Sequence, residues 1–351
     1  MQSAAAHRTI TREIYATSDP PPLPTELQVE VTGACNLACR MCLVRYRPKL
    51  GKRSGAMCFH TFRSLVDALP QLEKLTLQGL GEPLLAPDLL AMVEYATARG
   101  IRVGFNTNGT LLTPPASERL VRAGLDWLHV SLDGATPATY EGIRDGGDFA
   151  LVSEHVCALV ETMRRLEADL PFVMLVFVAM RRNLHELPAV VRLASEWGVG
   201  HLWVQNLSHS FSDTDPAGSY RAIREFAEAE ALWQEPAALG EATFARAREE
   251  AERLGVELRL PVLAEVAARP RPPGQPGCHW PFESAYVTHD AKVQPCCMVM
   301  GADRAVLGSI EDEDFASIWR GEPYERFRAG LVGDGLPPEV CAGCSLFRRV
   351  F

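Results

Sequence analysis

The chain has 351 residues, of which 47% are hydrophobic and 23% are charged, and its formal net charge at pH 7 is -9. This length supports a large apolar core and more than one domain. The negative charge leaves no broad basic surface for nucleic acid, so no nucleic-acid partner is expected. No apolar run reaches the roughly 20 residues that a membrane-spanning helix needs, and the N-terminus lacks the apolar core of a signal peptide. We therefore expect a cytoplasmic protein that does not bind membranes.

Strand-like and helix-like segments alternate through the first two thirds of the chain. Six segments predict buried strands: 27–32, 75–80, 103–106, 127–132, 172–179 and 201–206. The helical patterns between them end at glycines such as Gly100, Gly124 and Gly198, which favour helix C-termini. Right-handed crossovers would wind these units into a parallel, curved sheet with helices outside. Because six units are too few for a closed eight-stranded barrel, the predicted fold is an α/β partial (β/α)6 barrel.

The composition changes after the sixth predicted strand. An Ala-, Glu- and Arg-rich stretch predicts helices, and a Pro/Gly-rich linker then marks a boundary. Beyond it, a β-hairpin and short helical segments predict a small C-terminal domain. The predicted divisions are an N-terminal extension (1–26), the barrel (27–210), a helical segment that completes or bridges it (211–267) and the C-terminal domain (268–351).

Seven of the ten cysteines fall into two groups. The first group is Cys35, Cys39 and Cys42, and the second is Cys278, Cys296, Cys341 and Cys344. Clustered thiols in a long chain without a secretion signal favour metal binding over disulfides. Cys297 adjoins the second group, whereas Cys58 and Cys157 stand apart.

The first group has the spacing C-x3-C-x2-C and follows the first predicted strand. Three thiolates can ligate three irons of a [4Fe–4S] cluster and leave the fourth iron without a protein ligand. An open metal position is typical of a catalytic site. A structural zinc site is the alternative, and it would need Cys58 or His60 as a fourth ligand.

This spacing resembles the motif of the radical S-adenosylmethionine (SAM) superfamily. Residues 80–83, Leu-Gly-Glu-Pro, resemble that family's GGEP motif with Leu in place of the first Gly. Ser131 in the SLDG segment and Met41 before Cys42 match further family positions. The resemblance extends over about residues 27–207, and each of these residues lies at the carboxyl end of a predicted strand or in the cysteine loop. Active sites of such sheets form at that end.

The resemblance implies how SAM is bound. Glu82, within Gly81-Glu82-Pro83, would bind the methionine amino group, since a carboxylate suits a cationic amine. Ser131 would contact the ribose or the carboxylate, and Met41 would flank the adenine. Further rim residues that the resemblance implies for SAM are Asn106 and Asn108, and either Arg144 or Arg181 as the partner of its carboxylate.

The resemblance also implies the chemistry. The open iron chelates SAM, and one electron from an external donor such as flavodoxin or ferredoxin cleaves SAM to a 5′-deoxyadenosyl radical. This radical then abstracts hydrogen from the substrate, while the protein positions the reactants and excludes water. An iron–sulfur carrier or a zinc-binding interaction module is the non-enzymatic alternative, but it leaves the six β/α units unexplained.

The second group resembles the short "twitch" form of the SPASM domain. Ala291 to Cys296 resembles the G-x4-C element of that domain, with Ala in place of Gly, and it selects Cys296 over Cys297 as the ligand. The chain continues only to Phe351, so we expect one auxiliary [4Fe–4S] cluster, with structural zinc as the alternative. Four thiolates leave no open iron. The auxiliary cluster is therefore expected to accept an electron during net oxidation of the substrate.

The expected substrate is a small hydroxylated molecule, such as a sugar, an aminocyclitol or a nucleoside intermediate, which is dehydrogenated. His209 or Glu283 would take the hydroxyl proton. The alternatives are an epimerase with Cys297 as the hydrogen donor, or a maturase of a ribosomal peptide. About 26 residues precede the first strand, too few for a leader-recognition domain. Residues expected to bind the ligand are Gln78, Gln205, Asn206, His279 and Trp280.

Overall fold

A computed structural model of the chain describes residues 21–46, 55–207, 221–232, 237–261, 277–299, 304–332, 337–342 and 344. Most of the predicted Pro/Gly linker lies outside the described residues. His209, one of the two predicted bases, also lies outside them.

A ten-stranded sheet runs through the described chain, in the order β10-β9-β8-β1-β2-β3-β4-β5-β6-β7. The strands are β1 (Glu26–Val29), β2 (Lys74–Thr76), β3 (Arg102–Thr107), β4 (Trp127–Ser131), β5 (Phe172–Ala179), β6 (His201–Asn206), β7 (Glu257–Arg259), β8 (Ser284–Val287), β9 (Lys292–Gln294) and β10 (Gly308–Ser309). Strands β1 to β7 pair in parallel. The α/β fold built on a parallel sheet is confirmed.

The helices follow the strands as crossovers or pack beside them. They are α1 (Leu43–Tyr46), α2 (Phe59–Asp67), α3 (Leu89–Thr97), α4 (Pro114–Arg122), α5 (Pro137–Ile143), α6 (Phe149–Arg165), α7 (Leu187–Glu196), α8 (Arg221–Glu230), α9 (Ala237–Leu254), α10 (Trp280–Glu283), α11 (Phe315–Arg320), α12 (Glu322–Val332) and α13 (Glu339–Ala342). Among the described helices, none is long and apolar enough to cross a membrane.

The sheet differs from the prediction at its β7 edge. The short strand β7 pairs with β6 and makes a seventh parallel strand, where six were expected. The sequence does not predict it, because Glu-Leu-Arg is a three-residue polar segment without the apolar run of a buried strand. Within the sheet, β1 and β2 are shorter than predicted. The residues after them form the loops that carry the candidate site.

The predicted hairpin is present as β8 and β9, and it joins the barrel sheet. β8 pairs antiparallel with β9 and parallel with β1, with Leu27 opposite Ala285. Ala291, which replaces the expected Gly, adopts a left-handed φ of 65° in the hairpin turn. The turn geometry is therefore retained with Ala, at a cost of about 1 kcal/mol.

One apolar core extends from the barrel into the C-terminal part of the chain. Trp319 and Tyr324 of the last helices belong to the same buried cluster as Leu27 and Phe105 of the sheet. The Trp319 indole N–H also donates to the carbonyl of Pro22, before the first strand (3.0 Å). The domain boundaries stay predictions, and the two parts share this core.

Candidate active site

A cavity of about 350 Å³ opens at the carboxyl ends of strands β2 to β6. Among the predicted residues, those that line it are Cys35, Cys39, Cys42, Met41, Gln78, Gly81, Glu82, Asn106, Asn108, Ser131, Arg144, Gln205 and Asn206. Parallel strands end at one edge of a sheet, so polar residues distant in sequence meet there. Pro83 is buried at the start of a short 3-10 helix and does not line the cavity.

The cysteine loop is held by hydrogen bonds to neighbouring segments. The Ala38 N–H donates to the Asp145 carbonyl and the Arg40 N–H to the Ile143 carbonyl, both at 2.9 Å. Burial raises the pKa of the Cys42 thiol to about 12 and also raises the pKa of Cys39. Thiolates at these positions would therefore need a positive centre to stabilise them.

Asn36 joins this loop to the end of β3. Its side-chain amide donates to the hydroxyl of Thr110 (2.8 Å), and its carbonyl accepts from the Asn108 amide (2.9 Å). The hydroxyl and the backbone N–H of Thr110 donate to the side-chain oxygen Oδ1 of Asn108. Asn36 was not among the residues predicted for the site. Its position directly after the first ligand cysteine is the signal that could have found it.

Glu82 is buried beneath the cavity and accepts three hydrogen bonds. Its donors are the Asn108 N–H (2.7 Å), the Thr107 hydroxyl (2.7 Å) and the Leu84 N–H (3.3 Å). Burial raises its pKa, and these donors act in the opposite direction. A cationic amine at this carboxylate would favour its ionised form further. The location suits the amino-group role that the resemblance implies.

Gly81 brings the Glu82 loop against the cysteine loop. A Cβ atom at position 81 would lie 2.2 Å from the Thr32 carbonyl oxygen and 2.5 Å from that of Ala34. The neighbouring Glu82 N–H donates to the same Ala34 carbonyl at 2.8 Å. Only glycine allows this approach of two backbones.

Arg144 is buried between α5 and α6 and forms an ion pair with Asp133. The distance between Nη2 and Oδ2 is 2.6 Å, and Nη1 lies 3.9 Å from the Cys39 sulfur. Asp133 also accepts the Val178 N–H at 2.8 Å. Arg181, the competing candidate, is exposed and does not line the cavity. The geometry therefore favours Arg144, although its charge is already shared with Asp133.

A second, smaller cavity of about 20 Å³ lies within the C-terminal part. Its thiol lining is Cys278, Cys296, Cys341 and Cys344, which are the four predicted cysteines. The other lining residues are apolar: Trp280, Pro281, Met298, Phe327, Leu331 and Val340. Burial raises the pKa of Cys341 to about 12 and holds that of Cys296 well above its ordinary value. The donor set is thus entirely sulfur in an apolar shell.

The two thiol groups lie at opposite ends of the sheet. The Cys35 loop follows the carboxyl end of β1, whereas Cys278 precedes the amino end of β8, which runs parallel to β1. Cys296 follows β9, which is antiparallel to β8 and so returns to the same amino end. The two groups therefore lie beyond opposite ends of the paired strands β1 and β8, each of which spans about 13 Å.

Known proteins resemble the chain over most of its length. A model of the radical SAM superfamily matches residues 29–194, and a model of an iron–sulfur cluster-binding domain, SPASM, matches residues 278–345. The chain is 31% identical over 337 residues to an AdoMet-dependent heme synthase of Methanosarcina barkeri (strain Fusaro / DSM 804), with 92% of this chain and 91% of that protein covered. The chain belongs to the radical SAM superfamily.

The chain also resembles a peptide cyclase in sequence and a SAM-bound protein in structure. A PqqA peptide cyclase of Xanthomonas campestris pv. campestris (strain 8004) is 26% identical over 332 residues, covering 93% of this chain and 80% of that protein. The crystal structure of Streptococcus suis SuiB bound to S-adenosylmethionine has a TM-score of 0.66 at 15% identity, covering 99% of this chain and 76% of that one. The latter likeness supports the fold.

This radical SAM enzyme uses SAM and two [4Fe–4S] clusters, as its two domains imply. The residues present fit these groups: three thiols beside the large cavity leave one iron open, and four enclose the small one. Among the described residues, no three His, Cys, Asp or Glu side chains converge on one metal ion. A [4Fe–4S] cluster does not require three side chains at one metal ion, because each thiolate binds a different iron.

Several predicted residues of the enzyme lie away from the large cavity. Glu283 ends α10 just before β8, at the amino end of the sheet and so opposite the cavity, and its role as a base stays a prediction that this position does not support. His279 and Trp280 lie at that same end, and Trp280 lines the small cavity. Burial raises the pKa of Cys297 to about 12, with smaller contributions from nearby Cys344 and Cys278. A hydrogen-donor role for Cys297 at the large cavity therefore lacks geometric support.

Cys58 does not join the first thiol group. It is exposed, and its sulfur caps helix α2 by accepting from the Thr61 N–H (3.5 Å). This role accounts for Cys58 without a metal, and the zinc alternative for the first group loses its nearest cysteine.

Proposed function

We propose that this radical SAM enzyme removes hydrogen from an uncharged, hydroxylated small molecule and passes one electron to its auxiliary cluster, which gives net dehydrogenation. The observation that carries the proposal is the separation of the two thiol groups. The open cavity beside Cys35, Cys39 and Cys42 has a volume of about 350 Å³, whereas the four other thiols line an apolar space of about 20 Å³. A fully ligated cluster there suits electron transfer rather than substrate binding.

Each group of residues has a defined task in this proposal. When bound, SAM and the first cluster supply a radical that abstracts a hydrogen atom. Glu82 would hold the SAM amino group, Arg144 its carboxylate, and Ser131 its ribose. The first group of cysteines would retain the cluster, and an external one-electron donor such as flavodoxin or ferredoxin would reduce it. The apolar residues that close the cavity from α8 exclude water from the reacting carbon; they are Ile223, Phe226 and Ala227.

Net oxidation of an alcohol removes one hydrogen atom from carbon, one electron and the hydroxyl proton. The electron would go to the cluster held by Cys278, Cys296, Cys341 and Cys344. The proton would go to solvent or to a base. Among the described lining residues, Glu82 is the one carboxylate, and it is assigned to SAM. The predicted base His209 stays a prediction, because it lies outside the described residues.

The polar lining supports an uncharged substrate. Gln78, Gln205 and Asn206 offer amide donors and acceptors, which suit hydroxyl groups. Among the described lining residues Arg144 is the one cation, and it is paired with Asp133. The name of the heme synthase relative makes a tetrapyrrole another candidate. A tetrapyrrole with several carboxylates would find no second cation among the described lining residues.

A peptide is the second candidate substrate. Side-chain amides bind peptide groups as well as hydroxyls, and the PqqA peptide cyclase is similar over 93% of the chain. In that case the enzyme would be a maturase, and the auxiliary cluster would keep its role as electron acceptor.

Cluster content and SAM cleavage test the central part of the proposal. Anaerobic reconstitution should give about eight iron atoms per chain, which is two cubanes, and SAM with dithionite should yield 5′-deoxyadenosine. Cys35→Ala should reduce the iron to about four and abolish SAM cleavage. Cys157→Ala, at an exposed cysteine of α6, is the matched control and should change neither. An iron content near four in the parent chain would show that the chain does not hold an auxiliary cluster.

Deuterium transfer tests the substrate class. Deuterated cyclitols and sugars should label 5′-deoxyadenosine, whereas label from deuterated peptides would instead support the maturase. Label from a deuterated tetrapyrrole would contradict both. For a reactive alcohol, turnover in D₂O distinguishes the outcome: dehydrogenation leaves no solvent deuterium at the reacting carbon, and epimerisation leaves one.

A further inference from the structure

Arg328 of α12 is a buried cation whose described partners are neutral. It is 4% exposed, its Nε donates to the Pro281 carbonyl (2.8 Å), and its Nη1 donates to the Trp319 carbonyl (2.7 Å). Nη2 is buried and has no hydrogen-bond partner among the described residues. Two aromatic rings lie under the guanidinium, with centroids 4.2 Å away at Trp319 and 4.3 Å away at Tyr324.

These partners offset only part of the cost of burying the charge. Cation–π contacts and hydrogen bonds to carbonyls stabilise a guanidinium, but a buried charge is ordinarily paired with an opposite charge. Burial accordingly lowers the pKa of Arg328 to about 10. Glu325 on the same helix is exposed, and its opposing effect on this pKa is smaller than that of burial. No carboxylate in the described part of the chain forms an ion pair with Arg328.

The second thiol group shares lining residues with the surroundings of this cation. Pro281, which accepts the Nε–H, lines the same small cavity as Cys278, Cys296, Cys341 and Cys344. Phe327, the residue before Arg328, lines it as well. Tyr324, under the guanidinium, is close enough to Cys296 for the sulfur charge to raise the pKa of its hydroxyl, although burial is the larger cause.

A cluster in this cavity would supply the missing negative charge. Four thiolates around an oxidised [4Fe–4S] core carry a net charge of about minus two, and reduction makes this about minus three. A fixed cation nearby stabilises the more negative state more strongly, and so raises the reduction potential.

We propose that Arg328 is the counter-charge of the auxiliary cluster and sets its potential high enough to accept the electron from the substrate. This inference rests on the proposed function, in which the four thiols hold that cluster. Arg328 is a positioning residue in this scheme, because it touches neither substrate nor SAM and acts through the cluster. The balance is one electron gained by the cluster for each electron lost by the substrate radical.

The test is an anaerobic redox titration of the auxiliary cluster followed by electron paramagnetic resonance. The full chain carries Cys35→Ala, Cys39→Ala and Cys42→Ala, so that only the auxiliary cluster is reduced. Arg328→Gln keeps hydrogen-bond donors for the two carbonyls but removes the charge. At a fixed potential it should lower the ratio of reduced to oxidised cluster at least tenfold, which is about 59 mV for one electron. Arg328→Lys, which keeps the charge, should retain most of the parent ratio.

Arg326→Gln is the matched control. It is the same substitution on the same helix, at an exposed residue paired with Glu322, and it should leave the ratio unchanged. A ratio in Arg328→Gln equal to that of the parent, or a Lys variant shifted as far as the Gln variant, would overturn the inference. If Arg328→Gln assembles no cluster, Arg328→Met, which also removes the charge, takes its place in the same titration.

The outcomes for the two proposals are separate. An iron count near four in the unmutated chain removes the auxiliary cluster, and with it the proposed function, before any titration. A shifted potential in a chain that forms no oxidised product leaves the role of Arg328 intact and removes the dehydrogenation.

Discussion

Glu30 and His289 are 259 positions apart and share a buried contact of 2.5 Å between Oε1 and Nδ1. The other carboxylate oxygen accepts the Tyr286 hydroxyl at 2.5 Å. It also faces the Leu80 N–H at 3.5 Å, directly before Gly81. One carboxylate at the end of β1 thus joins the C-terminal hairpin to the loop that is proposed to bind SAM.

Glu30→Gln should lower the free energy of unfolding by about 1–3 kcal/mol, because contacts with a neutral amide are weaker than hydrogen bonds to a carboxylate. Urea unfolding of the cluster-loaded protein measures the change. Glu26→Gln on the same strand is the matched control, since its half-exposed contact with Lys74 should be worth no more than about 1 kcal/mol. Equal losses in the two variants would contradict a special role for Glu30.

Gly81→Ala should raise the dissociation constant of SAM at least tenfold, about 1.4 kcal/mol, while the iron content stays unchanged. The added Cβ would meet two backbone carbonyls at 2.2 and 2.5 Å, so the Glu82 loop must move away from the cysteine loop. Isothermal titration calorimetry with SAM measures the dissociation constant. Gly142→Ala in α5 is the control, because no atom lies within 4 Å of its added Cβ. Unchanged SAM affinity in Gly81→Ala would separate this loop from SAM binding.

The parts of the fold that the sequence predicts are those with a local signal. Period and apolar runs predict the six strands β1 to β6, and cysteine spacing predicts both thiol groups. The parallel pairing of β8 with β1 has no local signal, because it joins segments more than 250 positions apart. For this reason the sequence does not show where Glu283 lies: no local signal reveals that β8 begins at the end of the sheet opposite the large cavity.

The same limit applies to side-chain networks. Asp133 looks like part of an ordinary loop in the sequence, and only the fold brings its carboxylate to Arg144. Asn36 and Asn108 are likewise joined across 72 positions. A motif predicts which residue types are present, whereas the partners that orient them depend on tertiary packing.

Arg144→Met should destabilise the protein by about 3–5 kcal/mol, because it leaves the fully buried Asp133 carboxylate without its cation. Adding Asp133→Asn should restore part of this loss, since the amide is neutral and still accepts the Val178 N–H. Midpoints of urea unfolding measure both. Arg122→Met removes an exposed pair with Glu118 and should leave the unfolding midpoint nearly unchanged. A double variant no more stable than Arg144→Met would show that the ion pair is not the cause.

His129 should make the fold sensitive to mild acid. Partial burial between the Trp127 and Trp203 rings, with a smaller effect of Lys74, lowers its pKa to about 4, whereas in the unfolded chain the pKa is about 6.5. The unfolded state therefore binds the proton first, and stability is lost as the pH falls from about 6.5 towards 4. Between pH 7 and pH 5 this one group should remove about 2 kcal/mol.

Urea unfolding of His129→Asn at the two pH values checks this, because the variant should lose about 2 kcal/mol less than the parent over that interval. His60→Asn is the control at an exposed histidine of α2, and it should follow the parent at both pH values. The comparison also controls for acid loss of the clusters, which is common to all three proteins. If His129→Asn and the parent lose the same stability, the buried ring is not the group that titrates.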